Sequence, residues 1–366
     1  MPNVLSAQER AVLAMRSLYE SYGYTRFPMR RFEEYAFYLE NKSFLRSESV
    51  LSFTDANGRL MALKPDVTLS IVKQAQEDGL QRLYYNESVY RLSPTDREFT
   101  EIGQIGVEML GEIGAVGACE VLRLAVESLR LTGVRYVLDI GHMGFAAQPL
   151  AALAPQERQQ AMRLIRQKNA HELGALLDAC DLAPQAAALV AALPQLSGSF
   201  EDTLPRARAL AFTDAQREAL DELKAYDGAL RRLGLNECAR LDLSVLNDLD
   251  YYNGLVFQGY IEGAPRMVLS GGRYDRLMRK LGKKGGGLGF ALYLDEVGRV
   301  LSVPAADDAD VLALYAPGDD PVQVLSALEV LRGDGLRVYA ASQAPAGFRA
   351  ARVLRFANGV FEEVTD

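Results

Sequence analysis

The chain of 366 residues has no tryptophan, two histidines and three cysteines, and each shortage removes a class of explanation. His142 and His171 belong to no motif with a second ligand, so neither a metal site nor histidine-based catalysis is expected. Cys119, Cys180 and Cys238 are odd in number and lack metal-ligand spacing. They read as buried free thiols of a reducing compartment. No apolar run approaches the ~18 residues of a membrane-spanning helix. The segment Met1-Pro-Asn-Val-Leu-Ser6 has neither the basic start nor the apolar stretch of a signal peptide. The expectation is a cytoplasmic protein with no membrane association. Basic residues are in deficit too: 40 Lys and Arg face 48 Asp and Glu, a net charge of −8. Proteins that grip nucleic acid spread a basic surface along it, because phosphate neutralisation supplies most of the affinity. A nucleic-acid partner is therefore not expected.

What the chain does have is 49% hydrophobic residues, enough to fill the cores of two or three domains. Ser6-Ala-Gln-Glu9 is a capping box, and the helix it opens runs through Val12, Met15 and Tyr19 to a stop at Gly23. Leu51 to Leu63 reads as a hairpin around Asn57-Gly58, and a helix opens behind Pro65 at Asp66. Leu83–Leu92 and Thr100–Leu110 read as strands joined by the polar turn Ser93 to Asp96. Strands pairing with sequence neighbours favour an α+β antiparallel sheet over a doubly wound one. From about 146 to 237 the chain turns rich in Ala, Leu, Gln and Arg, punctuated by Pro155, Pro184, Pro194 and Pro205: a helical insert. Strands resume at Arg240–Ser244, Leu255–Ile261 and Val268–Ser270. The glycines at 285, 286, 287 and 289 read as a flexible stretch ahead of a helix over Phe290–Leu301, since the Lys-Ser/Thr of a phosphate loop is missing. Ser302 to Asp308 marks a boundary, giving a core over 1–305 and a small α/β segment over 306–366. Within that segment strand, helix and strand are followed by a weaker helix and a last strand.

Two segments hold candidate site residues. In the strand from Thr100 to Met109, side chains alternate, so Ile102, Gln104, Gly106 and Glu108 share one face. An amide and a carboxylate thus flank a glycine, leaving a side-chain-sized gap. Alternation alone favours a solvated polar face for such a row. In Leu249-Asp-Tyr-Tyr-Asn-Gly-Leu-Val-Phe257, Tyr251 and Tyr252 offer hydroxyls that can donate to or accept from an imidazole, although adjacent strand tyrosines often only pack. Asp66 and Thr68 suit a helix N-terminus, and Arg91 could meet an anion.

The order of these segments carries more than any one of them. Gly23-Tyr-Thr-Arg-Phe-Pro28, Leu63-Lys-Pro-Asp-Val-Thr68, Tyr90-Arg91 and Gly103 to Glu108 precede the helical insert. Leu249-Asp-Tyr-Tyr252, Ser270-Gly-Gly-Arg-Tyr-Asp275 and Gly289-Phe-Ala291 follow it. Over about residues 5–300 this series resembles the class II histidyl-tRNA synthetases. The resemblance implies a six- to seven-stranded antiparallel sheet flanked by helices, and a homodimer formed through the region of Gly23 to Pro28. It further implies that Asp66, Thr68 and Gln104 receive the α-amino group of L-histidine, that Glu108 and Tyr252, beside Tyr251, hold its imidazole, and that Arg91 meets its carboxylate.

Two departures from that family bear on activity. Its arginine at the forming adenylate corresponds to Asn247 here, and its phosphate-clamping arginine to Glu296. A carboxylate there would repel ATP rather than bind it. These losses, together with Phe32-Glu-Glu-Tyr35, Glu40-Asn-Lys42 and Ala62 to Val72, resemble the regulatory subunits of ATP phosphoribosyltransferase, paralogues of the synthetases. By that resemblance the chain has no catalytic residues, cofactor or metal of its own. It would activate the short-form catalytic subunit of the first step of histidine biosynthesis in a hetero-oligomer, possibly a hetero-octamer, and carry histidine feedback. The segment from 306 would be a truncated remnant of the anticodon-binding domain. A synthetase-like protein with residual aminoacylation, and a histidine-binding module for another partner, remain the alternatives.

Overall fold

Ser6 and Glu9 close the first helix reciprocally: the Glu9 N–H donates to Ser6 Oγ at 3.1 Å and the Ser6 N–H to Glu9 Oε2 at 2.7 Å. The computed structural model describes residues 5–45, 50–76, 79–93, 97–246, 251–301 and 307–364. Its chain divides into two compact units, Ala11–Leu301 and Ser302–Asp366, the latter taken with Met1–Arg10.

From Ala11 on, α1 (Ala7–Ser21) belongs to the larger unit; the helix stops at Gly23, whose φ of 78° suits the left-handed turn there. β1 (Thr25–Arg26) follows, then β2 (Phe32–Glu34) and α2 (Tyr35–Glu40). The hairpin β3 (Ser52–Thr54) and β4 (Leu60–Leu63) turns at Asn57-Gly58 and makes a three-stranded sheet with β2. α3 (Val67–Gln74) leads to the long strands β5 (Gln81–Leu92) and β6 (Phe99–Gly111); most of the turn expected between them lies outside the described residues. α4 (Ala115–Arg130) and β7 (Tyr136–His142) come next. The insert comprises α5 (Met143–Ala151), α6 (Pro155–Arg166), α7 (Ala170–Asp178), α8 (Pro184–Ala192), the short β8 (Ser197–Gly198), α9 (Phe200–Leu210) and α10 (Asp214–Arg232). β9 (Ala239–Asp242), β10 (Leu255–Ile261), β11 (Leu269–Arg273), α11 (Asp275–Lys280), β12 (Gly286–Tyr293) and α12 (Leu294–Leu301) complete the unit.

These strands form one sheet in the order β1-β5-β6-β12-β11-β10-β7-β9-β8. The six from β5 to β7 are antiparallel throughout, as the α+β reading requires. The sheet is wider than the implied six or seven strands, because β1 adds to β5 in parallel and the two-stranded pair β9 and β8 extends the far edge. One face of β6 carries Ile105, Val107 and Met109, all fully buried, beneath α4, whose Val121, Leu122 and Leu129 are buried with them. Tyr19 of α1 joins this layer, its hydroxyl 2.8 Å from Ser128 Oγ of α4.

Two expectations for this unit fail. The glycine-rich stretch is a central strand, not a flexible lead into a helix: β12 occupies Gly286–Tyr293, and the helix starts only at Leu294. Leu288, Phe290 and Leu292 point into the core, while Gly287 and Gly289 turn to the other face. There a Cβ on Gly289 would overlap the Glu108 carboxylate and the Val107 carbonyl, and one on Gly287 would overlap the Tyr274 ring. Glycine is demanded by close packing, not by looseness. The three cysteines are free but only partly buried.

The smaller unit holds β13 (Ala309–Leu314), α13 (Pro321–Gly333), β14 (Val338–Ala341), β15 (Ala350–Ala357) and β16 (Val360–Glu363), ordered β14-β13-β15-β16. β13 is parallel to both β14 and β15, so the segment is α/β. Where a weaker helix was expected there is β15, paired with β16 through Asn358-Gly359, both at positive φ. That dipeptide is a strong hairpin signal. No helix among the described residues is long and apolar enough to cross a membrane.

Candidate functional site

The face of β6 opposite α4 is not solvated. Gln104 and Glu108 are 2% and 1% exposed, which overturns the solvated-face reading. Register explains the cleft above them: Glu108 lies beside Gly289, Gly106 beside Ala291 and Tyr85, and Ser270 beside Ala291. Small residues make the floor, and longer polar side chains stand around it. All seven residues singled out in the sequence (Asp66, Thr68, Arg91, Gln104, Glu108, Tyr251 and Tyr252) line this one cleft, whose empty space, counted to its open mouth, is about 350 Å³.

Asp66 is the N-cap of α3: its Oδ1 accepts from the Leu69 N–H at 2.8 Å. Its Oδ2 lies 3.5 Å from the Arg91 guanidinium, while Arg91 Nε donates to the Pro65 carbonyl at 2.8 Å. A neighbouring strut is the ion pair between the buried Lys64 and Glu87, at 2.7 Å. Together these bonds fasten the segment 64–66 to β5 and set the start of α3 over the cleft. Within the first turn of α3, the Thr68 hydroxyl donates to Glu108 Oε1 at 2.5 Å. The hydroxyl of Tyr274, between β11 and α11, donates to Glu108 Oε2. Tyr274 is itself held by its chain neighbours, since Asp275 accepts from Arg273 Nε at 2.8 Å and from the Gly287 N–H at 3.1 Å.

Burial pushes the Glu108 carboxyl up to about 8, against the opposing pull of the Thr68 and Tyr274 hydrogen bonds. Burial likewise drives the hydroxyls of Tyr85, Tyr251 and Tyr274 well above the usual phenol range, so they stay neutral donors. The Gln104 amide, 2% exposed, also lines the cleft.

Tyr274, Ser270, Tyr85 and Tyr293 line the cleft and were not singled out beforehand. Ser270 and Tyr274 had a signal, their place in the segment Ser270 to Asp275. The contact of Tyr274 with Glu108 spans 166 residues, which no local pattern encodes. Glu296 does not line the cleft; at the start of α12 it pairs with Arg299 at 3.4 Å. Asn247 lies outside the described residues. His142 caps α5, its Nδ1 accepting from the Gly144 N–H at 3.1 Å. Among the described residues no group of three or more His, Cys, Asp or Glu is placed to hold a metal ion.

The family model for histidyl-tRNA synthetase matches residues 1–297. The ATP phosphoribosyltransferase regulatory subunit of Oceanobacillus iheyensis is 27% identical over 98% of this chain and 84% of its own. That of Syntrophotalea carbinolica is 34% identical over 76% of this chain and 68% of its own. Among solved structures, an ATP phosphoribosyltransferase regulatory subunit/histidyl-tRNA synthetase from Bacillus halodurans superposes with a TM-score of 0.74, over 95% of this chain and 92% of that one. At 24% identity that likeness bears on the fold alone. An α+β fold of the histidyl-tRNA synthetase type, with relatives of this identity and coverage, has one reading: the chain belongs to the ATP phosphoribosyltransferase regulatory subunits of the histidyl-tRNA synthetase family.

Proposed function

We propose that the cleft binds L-histidine and that the chain, without catalytic residues of its own, uses it to adjust the short-form catalytic subunit of ATP phosphoribosyltransferase. One observation carries the reading: Asp66, Arg91, Gln104 and Glu108 converge on one buried cleft, in which a guanidinium stands beside one of two carboxyls. An α-amino group meets Asp66, Thr68 and Gln104, and an α-carboxylate meets Arg91. The ring lies between Glu108 and the tyrosines at 251 and 252. Hydrogen bonds to charged groups contribute about 1.5–3 kcal/mol each, so three such contacts suffice for selective binding. Glu296 supports the non-catalytic part, because a carboxylate where the synthetases place a cation opposes ATP phosphates.

Homodimerisation through the region of Gly23 to Pro28 and a hetero-oligomer with the catalytic subunit, octameric in the larger form, complete the proposal. Control needs histidine to bind the active and less active arrangements with different affinity, a coupling of ~1–3 kcal/mol. The test mixes the purified chain with the short-form subunit of the same organism and follows phosphoribosyl transfer to ATP. The chain should raise the rate; histidine should reverse the gain in the wild type and far less in Gln104→Ala. Full histidine sensitivity in an assembled Gln104→Ala complex would place the sensor elsewhere. Histidine-dependent ATP–pyrophosphate exchange by the chain alone would instead make it a synthetase.

A further inference from the structure

Glu108 is the most enclosed carboxyl of the cleft, and among the described residues no cation touches it. From α3 it is faced by Asp66 and Thr68, and from β5 by Tyr85 and Arg91. Tyr251, Tyr252, Tyr274 and, from β12, Tyr293 close the ring, with Tyr24 near enough to feel the Glu108 charge. The guanidinium of Arg91 is committed to Asp66 and Pro65, and the Lys64 ammonium to Glu87. Thr68 and Tyr274 each give Glu108 a hydroxyl hydrogen bond. A carboxylate buried without a cation is costly, and the usual relief is to take a proton.

We infer that the empty cleft holds Glu108 as the neutral acid, and that the complex keeps this proton between the carboxyl and a ring nitrogen of the ligand. The inference rests on the histidine reading and gives that reading its chemistry. A neutral acid donates its O–H to an acceptor nitrogen, so the cleft selects a neutral imidazole. It refuses lysine or arginine, which a pair of carboxylates would welcome. The bookkeeping is simple: one proton stays in the pair, whichever atom carries it, and none crosses to solvent. The carboxyl's rise to about 8 agrees with a protonated group at neutral pH.

Two limits on affinity follow. Below a pH of about 6.5 the free ligand ring is protonated and must shed a proton to bind. Above the Glu108 range the site must take one up, and affinity should fall about tenfold per pH unit.

Calorimetry of L-histidine binding to the full chain, in two buffers of different ionisation enthalpy, counts the protons. Near-zero exchange is expected at about pH 7.2; at roughly pH 9.5 the wild type should take up about one proton more than Glu108→Gln, whose remaining uptake belongs to the ligand's α-amino group. Glu108→Gln, which donates an N–H at every pH, should lose the part of the high-pH fall that sets in at the Glu108 range and keep only the later fall set by the ligand's α-amino group. Tyr274→Phe, removing a donor that favours the carboxylate, should move the Glu108 part of the fall to higher pH. Release of close to one proton at neutral pH, or lysine binding within about tenfold of histidine, overturns the inference yet leaves histidine binding intact. A folded chain that gives neither heat nor a thermal shift with histidine at any pH would end the histidine reading itself.

Discussion

Glu108 and Gly289 form a single feature of the cleft. The carboxyl can lie over the sheet only because its neighbour across the ladder has no side chain. Gly289→Ala should therefore act twice. The new Cβ meets the Val107 carbonyl, which is backbone and cannot swing aside, so stability should fall by ~1–3 kcal/mol. The same Cβ displaces the carboxyl from the Thr68 and Tyr274 hydroxyls, so histidine affinity should fall as well. Gly174→Ala, in α7 with open space around it, is the control and should be neutral or slightly stabilising. Denaturant titration and calorimetry read the two effects. Wild-type stability together with wild-type affinity in Gly289→Ala would show that the floor is not as tight as described.

At the scale of elements, α3 joins structure to recognition in one residue. Asp66 caps the helix through Oδ1 and faces Arg91 through Oδ2. Asp66→Ser separates the two jobs, since a serine hydroxyl caps nearly as well but carries no charge. Both Asp66→Ser and Asp66→Ala lose the ion pair to Arg91, so the cap is read from the difference between them: Asp66→Ser should be the more stable by ~1 kcal/mol. Histidine affinity should drop ~10- to 100-fold in both, the loss of one charge-assisted bond. Equal affinity in wild type and Asp66→Ser would free Asp66 of any ligand role. Elements also show where sequence is informative. β5, β6 and β10 were legible because their alternation is written in side chains, and the capping box of α1 because both partners are local. β12 was illegible because glycine gives alternation nothing to display, and its reason for being glycine is Glu108, far away in the chain. β15 was missed although Asn358-Gly359 announces its hairpin; Ala350 and Ala351 read equally well as helix. Within the cleft, the residues found in advance sit on segments with a recognisable order. Tyr85 and Tyr293 reach it through sheet register, and Ser270 and Tyr274, although their segment was recognised, through contacts that only the folded sheet brings about.

For the whole molecule, the two units differ most in how much apolar surface each encloses. The cluster within 11–301 runs from Met15 and Tyr19 through the sheet to Leu230 in the insert. The buried residues of the smaller unit's cluster are Val311, Ala313, Val324, Leu328 and Leu354. Its α13 leaves Val322, Leu325 and Val330 more than half exposed, so much of the helix contributes no burial within that unit. So small a core gives little margin. Removing a buried leucine side chain costs ~2–5 kcal/mol, most or all of what such a segment holds. Leu328→Ala should therefore unfold 309–363 while 11–301 stays folded. Hydrogen exchange would show protection lost in Ala309–Leu314 and Ala350–Ala357 but retained in β5, β6 and β12. Histidine binding should be unchanged, since every residue of the cleft belongs to the larger unit. If protection fell in both units together, or affinity fell with it, the two cores would be one cooperative structure, and the cleft would depend on the C-terminal segment for its stability.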